Sequence, residues 1–503
     1  MYYPNLDEVK KLSEQGNYIP VYTEVLADMD TPVSAFHKIA YDEHGERHPY
    51  AFLLESVEGG ESIGRFSFLG CDPLYIMQQH KDSATFTHKG QHLETLSGAS
   101  SFKNIQTFMK RFKHVPIKGL APFQGGAVGY SSFETIEQLE PKVKCRQEDG
   151  LDVPDAIFLI TDTLLAFDRV KHTIQIISHV DLTQGANVEH AYTEATSKID
   201  RFLKDLQRPV QLPPLRTLQA NEPLPCNSNL TKDQFKDMVT KAKQYIVDGD
   251  IIQVVLSQRF ETDLDLPPLQ VHRALRAINP SPYMYCLHLG EDFSITGTSP
   301  EIHARCIDRK ITVRPIAGTR KRGATPEQDN ELAKELLADA KERAEHIMLV
   351  DLARNDVGRI AETGSIEIPN LMQIEKYSHV MHIVSDVTGV LKEGLDSSET
   401  MSSTFPAGTV SGAPKIRAMQ IIAELEKSKR GPYAGTIAYF SFDGSIDSCI
   451  TIRTVIMKNG KAYIQAGAGI VADSDPDFEY EETHSKARAM LIALGAAKEM
   501  TQD

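Results

Sequence analysis

The sequence contains no tryptophan, which by itself excludes no fold or function, and its six cysteines are widely scattered. None of them belongs to a C-x-x-C pair; they are Cys71, Cys145, Cys226, Cys286, Cys306 and Cys449. Zinc sites and disulfide frameworks both need cysteines at short, regular spacing. The sequence therefore predicts neither kind of site, and its cysteine usage is typical of a protein of the reducing cytoplasm.

The chain also lacks the segments that direct proteins to membranes. Met1–Glu8 has no basic stretch followed by an apolar core, and no run of roughly 18 apolar residues occurs anywhere. Basic residues are not in surplus either, because 54 Lys and Arg face 69 Asp and Glu and give a net charge of −15. Nucleic acids and anionic lipid surfaces attract clustered cations. We therefore expect a cytoplasmic protein that binds neither membranes nor nucleic acids.

The chain of 503 residues, 41% of them hydrophobic, suffices for two or more domains or for one large interleaved domain. Many strand-like segments are separated by a few helical patterns, among them one long helix predicted over 327–353. Strict β-α alternation is missing, so the pattern favours an α+β fold with extended antiparallel sheets. Five prolines between Arg208 and Pro225 indicate a linker over 208–228, which separates 1–207 from 229–503.

The last quarter of the chain combines a glycine-interrupted strand with the start of a helix. Residues 465–471 form a short apolar run that contains Gly467 and Gly469, where backbone N–H groups can approach an anion. Asp475 and Pro476 are residue types that begin helices. The pattern therefore predicts an anion-binding strand followed by a helix.

On that helix, Glu482 and Lys486 are four residues apart and share one face. A carboxylate and an ammonium group at this spacing can hold a divalent cation and an anionic substrate side by side. The alternative is an ordinary surface ion pair, which contributes only about 0.3 kcal/mol. Spacing alone favours the ion pair.

Five longer segments resemble the chorismate-utilising enzymes, and most closely the anthranilate synthase component I family. They are Pro315–Arg320 (PIAGTR), Glu345–Asp356 (EHIMLVDLARND), Lys376–His382 (KYSHVMH), Phe405–Lys415 (FPAGTVSGAPK) and the region 465–486. The resemblance covers essentially the whole chain. It implies a large antiparallel β-sandwich of two interleaved sheet layers flanked by helices, which converts chorismate and ammonia to anthranilate and pyruvate with Mg²⁺.

The resemblance also implies a set of binding residues. Glu345 and Glu482 would hold Mg²⁺, whose usual environment is carboxylates, substrate oxygens and water. Arg453 suits a bidentate pair with one of the two carboxylates of chorismate. The residues expected to contact the substrate or line its pocket are Gly318, Thr319, Thr409, Tyr433, Arg453, Gly467, Ala468, Gly469 and Lys486.

Two further residues match positions that the family uses for proton transfer. Glu301 corresponds to the general acid that protonates the departing C4 hydroxyl, and a closed pocket could raise its pKa enough to keep it protonated. His382 corresponds to the histidine associated with the later loss of pyruvate. The structural alternative for His382 is a hydrogen-bonding role without chemistry.

Two positions distinguish the relatives from one another. Gln253 stands where the water-using isochorismate and salicylate synthases carry a lysine base, and an amide cannot deprotonate water. Ala317 stands where aminodeoxychorismate synthases have a nucleophilic lysine, and a methyl group forms no covalent adduct. Both residues favour amination to anthranilate, and these related enzymes remain the nearest alternatives.

Two segments resemble the tryptophan feedback site of the family, namely Leu54–Ser56 and Asn279–Met284. This likeness implies that 1–207 is a regulatory region, that 229–503 binds chorismate, and that tryptophan is an allosteric inhibitor of its own biosynthesis. Without the resemblance, Asn-Pro-Ser-Pro is simply a turn. The residues expected to touch the inhibitor are Ser56, Pro282, Tyr283 and Met284.

No cysteine lies on the glycine-rich nucleophile turn that a glutamine amidotransferase requires. The resemblance therefore implies that ammonia comes from a separate amidotransferase subunit, commonly in a heterotetramer. A different class of function is a catalytically inactive, tryptophan-sensing or scaffolding relative. Retention of all the acidic, basic and histidine residues named above argues against that alternative.

Overall fold

The computed structural model describes residues 1–56, 64–145, 148, 150–210, 222–377 and 380–500. Most of the predicted linker, 211–221, therefore lies outside the described residues. The described chain contains two 12-stranded sheets. All strand pairs within them are antiparallel.

The strands are β1 Tyr18–Leu26, β2 Tyr50–Glu55, β3 Phe66–Cys71, β4 Tyr75–His80, β5 Ser83–His88, β6 Gln91–Ser97, β7 Gly126–Ser131, β8 Ala156–Thr161, β9 Leu164–Asp168, β10 Thr173–Asp181, β11 Asn227–Ser228, β12 Gln253–Asp263, β13 Tyr283–Leu289, β14 Phe293–Ser299, β15 Ile302–Ile307, β16 Lys310–Val313, β17 Ile316–Lys321, β18 Glu367–Lys376, β19 Val380–Val390, β20 Gly412–Ala413, β21 Thr436–Ser441, β22 Ile446–Ile450, β23 Thr454–Lys458 and β24 Lys461–Ile470.

The helices are α1 Leu6–Leu12, α2 Pro32–Ala40, α3 Ser101–Met109, α4 Ile136–Leu139, α5 Val188–Leu206, α6 Lys232–Val247, α7 Pro268–Ile278, α8 Pro326–Ala338, α9 Ala340–Gly358, α10 Ser397–Thr404, α11 Lys415–Leu425 and α12 Pro476–Glu499. Two short 3₁₀ turns, Phe133–Thr135 and Gly408–Val410, complete the structure. In the described part of the chain, no helix combines the length and the apolar character needed to cross a membrane.

The two sheets mix strands from both sides of the predicted linker. The first has the order β1-β10-β9-β3-β2-β13-β14-β23-β24-β12-β11, with β20 beside β12. The second has the order β17-β19-β16-β15-β22-β21-β7-β8-β4-β5-β6, with β18 beside β19. Regions 1–207 and 229–503 consequently share both sheets.

The inner faces of the two sheets pack against each other through apolar side chains. Phe52 and Leu164 of the first sheet share one buried cluster with Tyr130, Leu159 and Ile437 of the second. Helices cover other faces, as when α5 packs on β10 and α12 packs on β24. The predicted α+β architecture, an antiparallel β-sandwich of two interleaved layers flanked by helices, is thus confirmed.

The prediction of one continuous helix over 327–353 is wrong. One helix ends at Ala338 and the next begins at Ala340, with Asp339 between them. The backbone there is extended, with φ −65° and ψ 113°, and the Asp339 side chain accepts hydrogen bonds from Lys341 N and Glu342 N. An aspartate that caps the exposed N–H groups of a new helix stabilises this break. No glycine or proline occurs near Asp339, so the sequence carries no strong signal for the end of a helix there.

Candidate active site

Strands β12 and β24 lie side by side and bring two glycines next to polar side chains. Val255 pairs with Gly469, and Ser257 pairs with Gly467. A Cβ atom on Gly469 would come within 2.7 Å of Gln253 Nε2, and one on Gly467 within 2.7 Å of the Tyr433 hydroxyl. A side chain at Gly467 would crowd both the Tyr433 hydroxyl and the Leu256 carbonyl, at 3.0 Å, whereas one at Gly469 would have to displace only the flexible end of Gln253. The Ala468 side chain between them is fully buried in the core.

The two predicted metal ligands come from different helices. Glu345 of α9 accepts a hydrogen bond of 3.2 Å from Gln253 Nε2, and the charge of Glu482 on α12 acts on it. Burial, with added repulsion from Glu342 and Glu482, raises the pKa of Glu345. Glu482 also pairs with Lys486 at 2.7 Å, so the i,i+4 ion pair exists, but it lies within a larger acidic cluster.

Sequence reasoning missed two acidic members of this cluster, Glu342 and Glu479. Burial first, and then the neighbouring Glu482, raise the pKa of Glu479. Its Oε2 atom is buried without a hydrogen-bond partner among the residues that the structure describes. The repeated E-x-x-E spacing, 342 to 345 and 479 to 482, puts each pair on one helix face and could have revealed them.

These carboxylates have the chemistry to bind a divalent cation, although in the described chain no three of them bring their oxygens within 4.8 Å of one another, and Glu342 and Glu482 already pair with Arg320 and Lys486. Partly buried carboxylates that repel one another are unfavourable unless protons or a cation compensate their charge. Carboxylate oxygens are also the donors that Mg²⁺ prefers. Gln253 Oε1 is likewise buried without a partner in the described chain, so this oxygen is available to accept a hydrogen bond from a ligand or from water.

The predicted general acid lies in a buried pocket beside two cations. Glu301 Oε2 accepts a hydrogen bond of 2.8 Å from Thr409 Oγ1, and the charges of Arg453 and Lys486 act on the same carboxyl group. Burial raises the pKa of Glu301, although Thr409 and both cations oppose the rise. Burial thus favours the protonated form of Glu301, and a protonated carboxyl group near two cations can donate a proton to a substrate held by them.

The two cations are positioned differently. Arg453 has φ 50°, a left-handed conformation that is uncommon outside glycine, between β22 and β23. Burial lowers its pKa, while Glu301 partly offsets the effect. Lys486 donates a 2.9 Å hydrogen bond to the Gly467 carbonyl. Strained backbone of this kind is often found at functional sites, which agrees with a substrate-binding role for Arg453.

The histidine lies on β19 opposite β17. His382 Nδ1 is 3.0 Å from the Gly318 carbonyl and 3.0 Å from Thr319 Oγ1. A carbonyl only accepts, so Nδ1 carries the proton and Nε2 keeps its lone pair. Burial lowers the pKa of His382, and the charge of Arg453 lowers it further. The ring is therefore neutral near pH 7 and can accept a proton at Nε2.

The predicted catalytic, substrate and metal residues thus form one connected region. Direct contacts or mutual charge effects join all of them except the buried Ala468 side chain; the set is Gln253, Glu301, Gly318, Thr319, Glu345, His382, Thr409, Tyr433, Arg453, Gly467, Gly469, Glu482 and Lys486.

The predicted inhibitor residues gather elsewhere, around a cavity of about 230 Å³ between the two sheets. Ser56, Pro282, Tyr283 and Met284 all line it. The Ser56 hydroxyl is buried and has no hydrogen-bond partner among the described residues. A buried hydroxyl without a partner at the wall of a cavity is suited to binding a polar group of a ligand.

One end of this cavity is polar, which sequence reasoning did not find. Asp447 accepts from Tyr283 OH at 2.8 Å and from Arg305 Nη2 at 2.7 Å. Phe66, Phe68, Ile437 and Tyr439 supply apolar wall. The cavity combines a flat apolar surface with charged groups at one end, as a site for an aromatic amphiphile would.

Comparisons with known proteins agree with this geometry. The family model described as "chorismate binding enzyme" matches residues 50–492. The chain is 46% identical to anthranilate synthase component 1 of Acetivibrio thermocellus over 99% of this chain and 100% of that protein. It is 44% identical to the protein of the same name from Aquifex aeolicus, over 99% of each.

Solved structures show the same relationship. Anthranilate synthase component I from Streptococcus pneumoniae superposes with a TM-score of 0.75 at 34% identity, covering 93% of this chain and 99% of that one. The menaquinone-specific isochorismate synthase of Escherichia coli shares the fold, with a TM-score of 0.69 at 17% identity over 97% and 98% of the two chains. The chain therefore belongs to the anthranilate synthase component 1 family of chorismate-binding enzymes.

Proposed function

We propose that this protein converts chorismate and ammonia to anthranilate, pyruvate and water, with Mg²⁺ as cofactor. The observation that carries the proposal is the half-buried Glu301 carboxyl group, which accepts a 2.8 Å hydrogen bond from Thr409 and lies where the charges of Arg453 and Lys486 act on it. Chorismate carries two carboxylates and a poor hydroxyl leaving group, so its enzyme needs cations and a protonated acid in one place. The similarity to anthranilate synthase component 1 proteins favours anthranilate over the other products that related enzymes make from chorismate.

The cations would bind the substrate. Arg453 would form a bidentate pair with one carboxylate, because its planar fork matches that group. Lys486 would take the other carboxylate or a neighbouring oxygen, since it already bonds to the strand that carries Gly467. Water would screen the interaction of Arg453, which is half-buried, less than that of Lys486, whose side chain is 52% exposed.

Glu301 would then protonate the C4 hydroxyl, which leaves as water while ammonia adds at C2. The pair of electrons that forms the new C–N bond comes from ammonia, the ring double bonds shift to expel the C4–O pair, and the new nitrogen substituent then loses one proton. Thr409 fixes the carboxyl group by its 2.8 Å hydrogen bond. A positioned general acid typically contributes about 10²- to 10⁴-fold in rate.

His382 would act in the second stage, in which the ring becomes aromatic. Loss of the C2 proton supplies the electrons that aromatise the ring and break the C3–O bond, and the released enolate of pyruvate takes up a proton at carbon. Neutral Nε2 can accept the ring proton, because Nδ1 is held by the Gly318 carbonyl.

Glu345 and Glu482 would hold Mg²⁺, with Glu342 and Glu479 around them. When bound, the ion supplies positive charge that binds and polarises a substrate carboxylate. Gln253 supports amination over hydroxylation, because it is an amide that donates to Glu345 where a water-activating enzyme needs a base. Ala317 excludes a covalent lysine adduct.

A separate glutamine amidotransferase subunit would deliver the ammonia, because the chain has no cysteine nucleophile for that reaction. The component 1 name of its relatives agrees with a partner. Tryptophan would inhibit by filling the cavity of about 230 Å³ lined by Ser56, Pro282, Tyr283 and Met284. Its indole ring suits the apolar wall, and its charged head suits the polar groups.

The decisive experiment supplies purified chain with chorismate, Mg²⁺ and an ammonium salt at mildly alkaline pH, and follows anthranilate by fluorescence and chromatography. Anthranilate, formed only with Mg²⁺ and suppressed by tryptophan, is expected. Isochorismate or aminodeoxychorismate as product would contradict the roles given to Gln253 and Ala317. Chorismate binding without turnover would instead support an inactive sensor or an enzyme that needs its partner.

A further inference from the structure

Arg430 lies in the segment that links α11 to Tyr433, and only 1% of its surface is exposed. Its guanidinium donates to both oxygens of Glu426, with Nε–Oε2 at 2.9 Å and Nη2–Oε1 at 2.6 Å. The Arg430 Cζ atom lies 4.6 Å from the centre of the Phe133 ring and 5.6 Å from that of Tyr433. A fully buried ion pair needs this many partners to offset the loss of water.

The remaining donors of Arg430 reach two segments that carry candidate site residues. Nη2 donates to the Val255 carbonyl at 2.7 Å, two residues after Gln253 on β12. Nη1 donates to the Val410 carbonyl at 2.8 Å, one residue after Thr409. The same side chain therefore ties together the strand of Gln253, the turn of Thr409 and the ring of Tyr433.

Glu426 extends the contact on the other side. Its Oε1 accepts from Ser257 N at 2.8 Å and from Ser257 Oγ at 2.9 Å. Ser257 and Val255 are the residues that pair with Gly467 and Gly469. The ion pair thus holds the β12 segment that supports both close-approach glycines.

Stability alone does not account for such a pair, because buried ion pairs replaced by apolar side chains of similar size often leave stability unchanged or increased. A planar fork with several fixed acceptors does, however, define the relative position of the groups it joins. We propose that Arg430, together with Glu426, is a positioning residue for the proton donor Glu301, acting through the Thr409 turn and the β12 strand. The inference rests on the proposed acid role of Glu301.

The first test is Arg430→Lys, which keeps the charge but cannot span Glu426, Val255 and Val410 together. We expect a fall in kcat of about 100-fold, the cost of a misplacement of about 1 Å, with a smaller change in KM for chorismate. The Thr409 hydrogen bond lowers the pKa of Glu301, so loosening it raises that pKa. The alkaline limb of the kcat profile should therefore move to higher pH, as it should in Thr409→Val.

The matched control is Arg65→Lys. Arg65 forms a bidentate ion pair with Asp168 at 3.0 and 2.6 Å on the N-terminal part of the first sheet, and lysine cannot form both of these hydrogen bonds. This variant should leave kcat and its pH limb unchanged. The double variant Glu426→Leu/Arg430→Met removes both charges and should stay folded while kcat falls by a similar factor.

The inference would be overturned if the Arg430 variants fold, keep the wild-type kcat, and show the alkaline limb of the kcat profile at its wild-type pH. An activity loss that only follows the folded fraction, or failure of both Arg430 variants to fold, would overturn it too, because either result assigns the pair to stability. Absence of anthranilate with the wild-type protein would instead refute the proposed function itself.

Discussion

The two pockets of this protein differ in the chemistry of the side chains that line them. The candidate active site is lined by ionisable groups, where the charge of Arg453 acts on Glu301 and that of Glu482 acts on Glu345. The cavity between the sheets has mainly apolar walls and one polar end, where Arg305 and Tyr283 bond to Asp447. Charged groups with raised or lowered pKa values are suited to proton transfer, whereas an apolar wall with fixed polar groups is suited to recognition.

One pair of strands nevertheless serves both pockets. Arg305 of β15 and Asp447 of β22 are register partners at the cavity, and the Ile450 amide, at the far end of β22, donates to the Glu301 carbonyl. A rigid strand pair can carry a displacement from one pocket to the other. The two pockets nevertheless have no lining residue in common, so substitutions of active-site side chains that leave the strands in place should remove turnover but spare tryptophan binding, and substitutions in the cavity should do the reverse.

The largest effect is expected for Glu345→Ala or Glu482→Ala. Loss of a Mg²⁺ ligand should cost several kcal/mol of transition-state stabilisation, about 10³-fold or more in rate. Tryptophan affinity, measured by calorimetry, should stay unchanged. Glu481→Ala is the control, because Glu481 faces outward to Lys232. Near-normal turnover in either Glu345 or Glu482 variant would remove the metal assignment.

Glu301→Gln should reduce kcat by about 100-fold or more, because the amide keeps the hydrogen-bonding shape but cannot donate an acidic proton. The alkaline limb of the kcat profile should vanish, since burial raises the pKa of Glu301 and the protonated form is the active one. Steady-state rates over a range of pH measure both effects. A limb that persists unchanged would assign it to another group.

The affinity for Mg²⁺ should rise with pH, by at most about tenfold per pH unit for one proton. Burial and neighbouring carboxylates raise the pKa of Glu345, so protons compete with the metal below that pKa and the competition ends above it. Calorimetric titration of Mg²⁺ at several pH values checks the slope. Glu345→Gln should bind more weakly and flatten it; an equal slope in that variant would exclude Glu345 as the titrating ligand.

The smallest effect is expected for Ser56→Ala, which should weaken tryptophan inhibition about 5-fold, the value of one hydrogen bond of about 1 kcal/mol. Turnover without tryptophan should be unchanged, since Ser56 lies on the other pocket. Ser83→Ala on the peripheral strand β5 is the control. Unaltered inhibition in Ser56→Ala would separate Ser56 from the inhibitor site.

Local sequence patterns predicted several details correctly. Asp475 caps α12 by accepting a 2.9 Å hydrogen bond from Phe478 N, and Pro476 is the first residue of that helix. The motifs likewise contained the residues that gather around Glu301 and Glu345. Glu342 and Glu479 were missed although their spacing is visible, because an E-x-x-E pair on one helix is usually just a solvated surface.

By itself, the sequence determined the antiparallel α+β class, the family, and the carboxylate, cationic and histidine side chains that the site can use. Strand propensity, helix caps and motif residues are local properties, so they can be identified without the fold. Only the tertiary structure decided which groups meet. It brought Glu345 and Glu482 from separate helices close enough for their charges to interact, put the half-buried Glu301 where the charges of Arg453 and Lys486 act on it, and placed Ser56 and Met284 around one cavity. It also buried Arg430 among carbonyls of distant segments. Burial and proximity depend on contacts across hundreds of residues, which no local pattern contains.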